Sequence, residues 1–152
     1  MSTSFKLQAA TTSELPQLLS LVKAYHDFEN IDMTDTSRCQ AVYHLLSDPA
    51  LGKIWLILTD NQLIGYIALT FGYSIEFGGK DAFIDELYIC PEFRGQGLGQ
   101  QTLNQIQQEA KSQNICALHL EVAHENIRAQ KLYIKSNFQL RSKYRLMSVC
   151  LD

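Results

Sequence analysis

The sequence has no apolar run approaching the ~18 residues a membrane helix needs, and its start, Met1-Ser2-Thr3-Ser4-Phe5-Lys6, lacks a charged stretch followed by an apolar one. No membrane association or secretion is expected, and a cytoplasmic location is. An excess of positive charge is also missing, since 13 Lys plus Arg stand against 16 Asp plus Glu for a formal net charge of −3. Nucleic-acid binding draws on a basic field that releases phosphate counterions, so that class is disfavoured. Cysteines are few. Cys39, Cys90, Cys116 and Cys150 stand far apart without a C-x-x-C pair, which argues against a disulfide framework and leaves reduced, buried thiols as the expectation. His124-Glu125-Asn126-Ile127-Arg128 lacks the second histidine of a zinc-protease helix, and no metal is expected. Repeats, low-complexity tracts and linkers are absent too.

What is present is the composition of a globular chain. With 152 residues, 46% hydrophobic and 19% charged, the sequence suits one domain over 1–152. Residues 5–10 form a short apolar start. Thr11, Thr12 and Ser13 then offer N-caps to a helix whose apolar stripe is Leu15, Leu18, Leu19, Val22 and Tyr25. A second helix is predicted from Ser37 to Ser47, stopped by Asp48-Pro49. Strands follow at Ile54–Leu58 and Leu63–Phe71, joined by the turn signal Asp60-Asn61, and then at Ala82–Ile89 after a bend at Gly72, Gly78 and Gly79. A helix over 97–112, an alternating strand over 116–122, a helix over Ile127–Ser136 and a strand over Lys143–Leu151 complete a mixed α/β or α+β order.

The informative segment is Leu87-Tyr88-Ile89-Cys90-Pro91-Glu92-Phe93-Arg94-Gly95-Gln96-Gly97-Leu98-Gly99, where a strand passes through a glycine-rich turn into a helix. The first four amides of a helix lack internal partners and sit at the positive end of its dipole, so they form an anion site. A phosphate is the natural occupant. A dinucleotide fingerprint would need a third glycine where Gln100 stands, and a P-loop would need Gly-Lys-Ser/Thr, which is missing.

Arg94-Gly95-Gln96-Gly97-Leu98-Gly99 resembles the pyrophosphate signature Gln/Arg-x-x-Gly-x-Gly/Ala of the GNAT superfamily of acyl-CoA-dependent N-acyltransferases. Asn126 to Phe138 is similar to that family's asparagine-led helix ending in Tyr-x-x-x-Gly-Phe, with Asn137 in place of the glycine. The resemblance spans roughly 83–140. It implies a mostly antiparallel mixed sheet, splayed at the acetyl-CoA site and flanked by about four helices, with a homodimer as a family-level expectation. It further implies that main-chain groups of Leu87, Tyr88 and Ile89 bond the acetyl carbonyl and pantetheine arm. Amides of Arg94, Gly95, Gln96, Gly97, Leu98, Gly99 and Gln100 would hold the pyrophosphate, and Asn126 would touch the arm. Tyr133 matches the usual general acid beside the thiol.

The implied reaction is attack of a neutral primary amine on a thioester. An alkylammonium with pKa near 10.4 lies about 3.4 units from neutral at pH 7, so freeing its lone pair costs roughly 4.6 kcal/mol. A carboxylate can take that proton. Candidates are Glu86, which is preferred, and Asp85; strand alternation would aim them at opposite faces. His119 and Glu121 are secondary. On the acceptor side the acidic run Asp27, Glu29, Asp32 and Asp35 would draw a cationic amine, with Tyr25 and Phe28, and also Tyr73, Glu76 and Phe77, shaping the pocket. The reading is an acetyl-CoA-dependent N-acetyltransferase for a small amine. The alternatives are a protein or peptide amine acetyltransferase and a non-catalytic acyl-CoA sensor.

Overall fold

The computed structural model describes residues 4–151, so residues 1–3 of the segment read for a leader lie outside the described residues. The chain groups into two compact units, Met1–Glu121 and Val122–Asp152. The first carries β1 (Phe5–Ala9), α1 (Leu15–Phe28), α2 (Asp35–Ser47), β2 (Gly52–Thr59), β3 (Gln62–Ser74), β4 (Gly79–Ile89), α3 (Leu98–Ser112) and β5 (Ala117–His119). The sheet runs in chain order, antiparallel from β1 to β4 and parallel between β4 and β5. Four α-helices among the described residues and this mixed sheet match the expected architecture.

Local chemistry accounts for the element ends. Thr11 and Glu14 cap each other reciprocally, with the Glu14 carboxylate accepting the Thr11 N–H at 2.9 Å, so a 3-10 turn feeds α1 with Pro16 in its first turn. Thr34 accepts the Ser37 N–H at 3.1 Å, which starts α2 at Asp35 and not at Ser37 as its apolar stripe suggested. Asp60 and Asn61, at φ 50° and 64°, make the tight β2–β3 turn.

The sheet is covered on both faces. On one, Leu18 and Val22 of α1 and Val42 of α2 pack with Ile54, Leu56, Tyr66, Ala68 and Tyr88. On the other, Ile57 and Ile64 pack with Leu98 at the start of α3, joined by Leu87 and Ile89. Each fully buried Leu or Ile contributes roughly 1.5–3 kcal/mol. Gly65 is required by closeness, because a Cβ there would stand 2.1 Å from the Tyr88 carbonyl oxygen across the ladder.

Two strands differ from expectation. β5 spans only Ala117–His119, against the expected 116–122, and pairs with β4 at Asp81–Phe83 alone. The far edge of β4 from 84 to 89 therefore faces no strand among the described residues, which is the splay that positions the site. Residues 143–151 form no strand, and Leu146, Met147, Val149 and Leu151 are exposed. Apolar residues at strand-like spacing express a preference for pleated surfaces, but a strand exists only where a ladder partner takes up its backbone groups. In the second unit Asn126 caps α4 (Ile127–Lys135), its side-chain oxygen accepting the Ala129 N–H at 3.1 Å. Asn137, at φ 72°, takes the left-handed position expected of the family's glycine.

Candidate active site

Strict alternation fails at one point of β4. Ala68 pairs with Glu86 and Leu69 with Ile84, which leaves Asp85 as the extra residue of a β-bulge. Side-chain parity flips there. Ile84 shares the α3 face with Leu69, whereas Glu86 and Tyr88 turn to the face covered by α1 and α2. The bulge thus corrects the expectation that Asp85 and Glu86 simply alternate, and it aims Glu86 at α1 beside the open edge of the strand.

Glu86 is held by two donors. The Tyr66 hydroxyl donates to Oε1 at 2.7 Å, and His26 Nε2 lies 2.8 Å from Oε2. Its side chain keeps 19% exposure, so the carboxylate still meets solvent. Behind it, Arg38 Nε donates to His26 Nδ1 at 3.1 Å, Nη1 to Asp35 Oδ1 at 2.7 Å, and Nη2 to the Met33 carbonyl at 2.9 Å. His26 and Arg38 are both buried. An arginine has donors only, so Nδ1 of His26 accepts and the ring hydrogen sits on Nε2, directed at Glu86. Burial first, then the charge of Glu86 and its hydrogen bond, push the Tyr66 phenol far above its ordinary value, so this hydroxyl remains a donor.

Asp85 has its pKa raised, first by burial of the carboxyl and then by the charges of Glu86 and Glu121. The folded chain holds this proton to higher pH than the unfolded chain, so stability is lost as pH climbs from the ordinary value of 3.8 through the raised one. Asp85→Asn should therefore melt higher than the parent at pH 7, with the difference shrinking as the pH falls toward 4. Thermal unfolding at both pH values checks this, and a lower Tm for the variant at pH 7 would contradict it.

The glycine-rich turn ends β4 as expected. Gly95 and Gly97 take φ 78° and 77°, and Gly97 is the N-cap of α3 with no side chain bonded to the helix amides. A Cβ on Gly97 would meet no protein atom within 4 Å, so it is φ and not crowding that favours glycine there, and the amides of Leu98, Gly99 and Gln100 begin the helix beside it. The turn fits a diphosphate held by main-chain groups. Arg94 turns its side chain back, donating Nε to the Ile89 carbonyl at 2.8 Å and laying its guanidinium 5.0 Å from the Phe28 ring and 5.4 Å from that of Tyr88. Gln96 belongs to the turn through its main chain, and Gln100 lies in the first turn of α3.

The acceptor candidates divide. Tyr25 stands edge-on to Tyr88 at 6.2 Å, and Phe28 is exposed under Arg94, both on the Glu86 side of the sheet. Asp32 is exposed in the α1–α2 connection. Asp35 is engaged by Arg38, and Asp27 pairs with Lys23 at 3.1 Å. Tyr73, Glu76 and Phe77 are corrected out of the site, because the β3–β4 turn lies about seven residues of strand, roughly 23 Å, from Glu86. His119 bonds Asp81 at 3.0 Å and is flanked by Phe77 and Phe83, which is a packed role away from Glu86. Among the described residues no group of His, Cys, Asp and Glu gathers as metal ligands, and no helix is long and apolar enough to cross a membrane. In the second unit the Tyr133 ring stands edge-on to Phe138 at 6.0 Å. Sequence reasoning missed His26, Arg38 and Tyr66. The available signal was spacing, since His26 continues the buried series Leu18 and Val22 at i+4, and Arg38 precedes buried Val42 by four.

Comparison with known proteins adds the family. The acetyltransferase (GNAT) family model matches residues 15–138. Thialysine N-epsilon-acetyltransferase of Bos taurus is 32% identical over 71 residues, 47% of this chain and 41% of that enzyme, so the chain spans about two fifths of that relative's length. An integron cassette protein from the mobile metagenome of Cole Harbour Salt Marsh has the same fold at TM-score 0.84 and 27% identity, covering 96% of this chain and 91% of its own. A predicted acetyltransferase of Clostridium acetobutylicum, crystallised with acetyl-CoA, shares the fold at TM-score 0.78 and 22% identity over 95% of this chain and 96% of that one.

Proposed function

The chain belongs to the acetyltransferase (GNAT) family, and from that premise we propose that it transfers an acetyl group from acetyl-CoA to a primary amine of a small cationic molecule by direct attack in a ternary complex. The observation that carries this reading is Glu86, fixed by Tyr66 and His26 at a bulge beside the open edge of β4. Bound acetyl-CoA supplies the thioester whose C–S bond breaks as the amine's C–N bond forms. Amides of residues 94 to 100 hold the pyrophosphate, and main-chain groups of Leu87 and Ile89 align the arm along the unpaired strand edge. Glu86 accepts the amine proton, directly or through one water. Tyr133 gives its hydroxyl proton to the departing sulfur. Cys90, whose pKa is raised by burial and then by Glu92, stays a thiol, which supports direct transfer over an acyl-cysteine relay. Exposed Asp32, with the aromatic rings of Tyr25 and Phe28, supports a cationic acceptor.

Thiol release from acetyl-CoA, measured against polyamines, amino acids with side-chain amines, aminoglycosides and peptides, tests the acceptor class. Turnover confined to peptides or intact proteins would replace the small-amine reading. Coenzyme binding without turnover of any amine would make the chain a coenzyme sensor. Tyr133→Phe should lower kcat by about tenfold or more while the Kd for CoA stays within about twofold, because the substitution removes a proton donor and no binding group. Unchanged kcat would remove Tyr133 from the mechanism.

A further inference from the structure

A carboxylate that takes a proton from an amine must be aimed at it and must hold its lone pairs ready. We infer that His26 and Arg38 are positioning residues for Glu86, a buried clamp reaching from α2 through α1 to the bulge of β4; the inference rests on the reading of Glu86 as the base. Three features carry it. All three guanidinium nitrogens of Arg38 are committed, to the His26 ring, to Asp35 and to the Met33 carbonyl, so the group has one orientation. That orientation dictates the tautomer of His26, because Nδ1 can only accept from Arg38 and Nε2 must then donate to Glu86. The two oxygens of Glu86 are consequently each tied to one donor, His26 at 2.8 Å and Tyr66 at 2.7 Å, which fixes the carboxylate plane and leaves the remaining lone pairs for the substrate side.

The arrangement is a clamp and not a proton wire. A proton that reaches Glu86 cannot continue inward, since Nε2 already carries hydrogen and Nδ1 is occupied by Arg38. It has to leave by the face through which it came. The clamp also gives Asp35 a role different from attracting an amine. Its carboxylate anchors Arg38 from the surface, with its own side chain 86% exposed and that of Arg38 only 5%.

The test is a double-mutant cycle on the full chain, with thiol release and CoA titration as readouts. His26→Leu should lower kcat about 10- to 100-fold, the worth of one hydrogen bond to a charged group, while CoA affinity stays unchanged. His26→Gln, which can return an N–H to the Nε2 position, should stay within about fivefold of the parent. In a Glu86→Gln background His26→Leu should change kcat by less than about twofold, because the group it positions is gone. In the parent, nitrogen NMR of the labelled histidine should show hydrogen on Nε2 and none on Nδ1, and this reading does not depend on any variant folding. The opposite tautomer, a His26→Leu effect that persists at full size without Glu86, or parent-like kcat in His26→Leu beside a crippled Glu86→Gln would overturn the clamp alone. A Glu86→Gln enzyme as active as the parent would overturn the base, and the clamp with it.

Discussion

Glu86→Gln should lower kcat/KM for the amine by roughly 10²–10⁴ and leave the Kd for CoA within about twofold, since a positioned proton acceptor contributes that much and the amide cannot take the proton. The amide is nearly the same shape, so Tyr66 and His26 keep a neighbour and the β3–β4 ladder keeps its register. The residual reaction then depends on amine that loses its proton to water. At pH 7 that free fraction is about 10^−3.4 of an ordinary alkylamine, and it grows tenfold per pH unit up to about 10.4. The variant's kcat/KM should climb along that slope while the parent's rises less steeply, so the gap between them narrows in alkali. Thiol release from pH 6.5 to 9.5, beside calorimetric titration of CoA, measures both quantities. A loss smaller than about tenfold at pH 7 would remove Glu86 as the base.

The parts of this site that were legible in the sequence are those written locally. A strand, two glycines at positive φ and an uncapped helix start are all encoded within residues 87 to 100, so the anion site could be read without a fold. The start of the first helix followed from Thr11 and Glu14 for the same reason, whereas the cap at Thr34 that begins α2 at Asp35 is overshadowed by the apolar stripe from Ser37. What remained hidden depends on pairing across long separations. The bulge at Asp85 exists only because β3 fixes the register of β4, and alternation counted along one strand cannot see it. Tyr66 and His26 meet Glu86 from β3 and α1, 20 and 60 residues away in the chain, and Arg38 of α2 holds His26 in turn. A lone histidine and a lone arginine on helix faces carry no such message, since the same spacing serves ordinary packing. The strand expected at 143–151 failed for the converse reason, because its apolar residues state a preference and no partner.

Gly97→Asp should weaken CoA binding at least about 100-fold with little change in Tm, and the contrast between those two readouts is what identifies the occupant of the turn. Aspartate tolerates left-handed backbone better than most residues, so at φ 77° it costs on the order of 1 kcal/mol while its carboxylate gains the field of the open amides of α3. Those are the amides assigned to the pyrophosphate. The substitution sets a negative charge in the anion site against a negatively charged ligand, which weakens binding, while on folding its attraction to the helix N-terminus offsets the backbone strain. Gly97→Ala separates charge from strain, because it carries the backbone strain without the charge. It should lose stability while weakening CoA far less than the aspartate does. Calorimetry of CoA and thermal unfolding of both variants make the comparison, and raising the salt should recover part of the aspartate variant's loss through screening. Equal CoA affinity in Gly97→Asp and the parent would mean that the start of α3 does not hold the phosphates, and the placement of the thioester beside Glu86 would have to be abandoned with it.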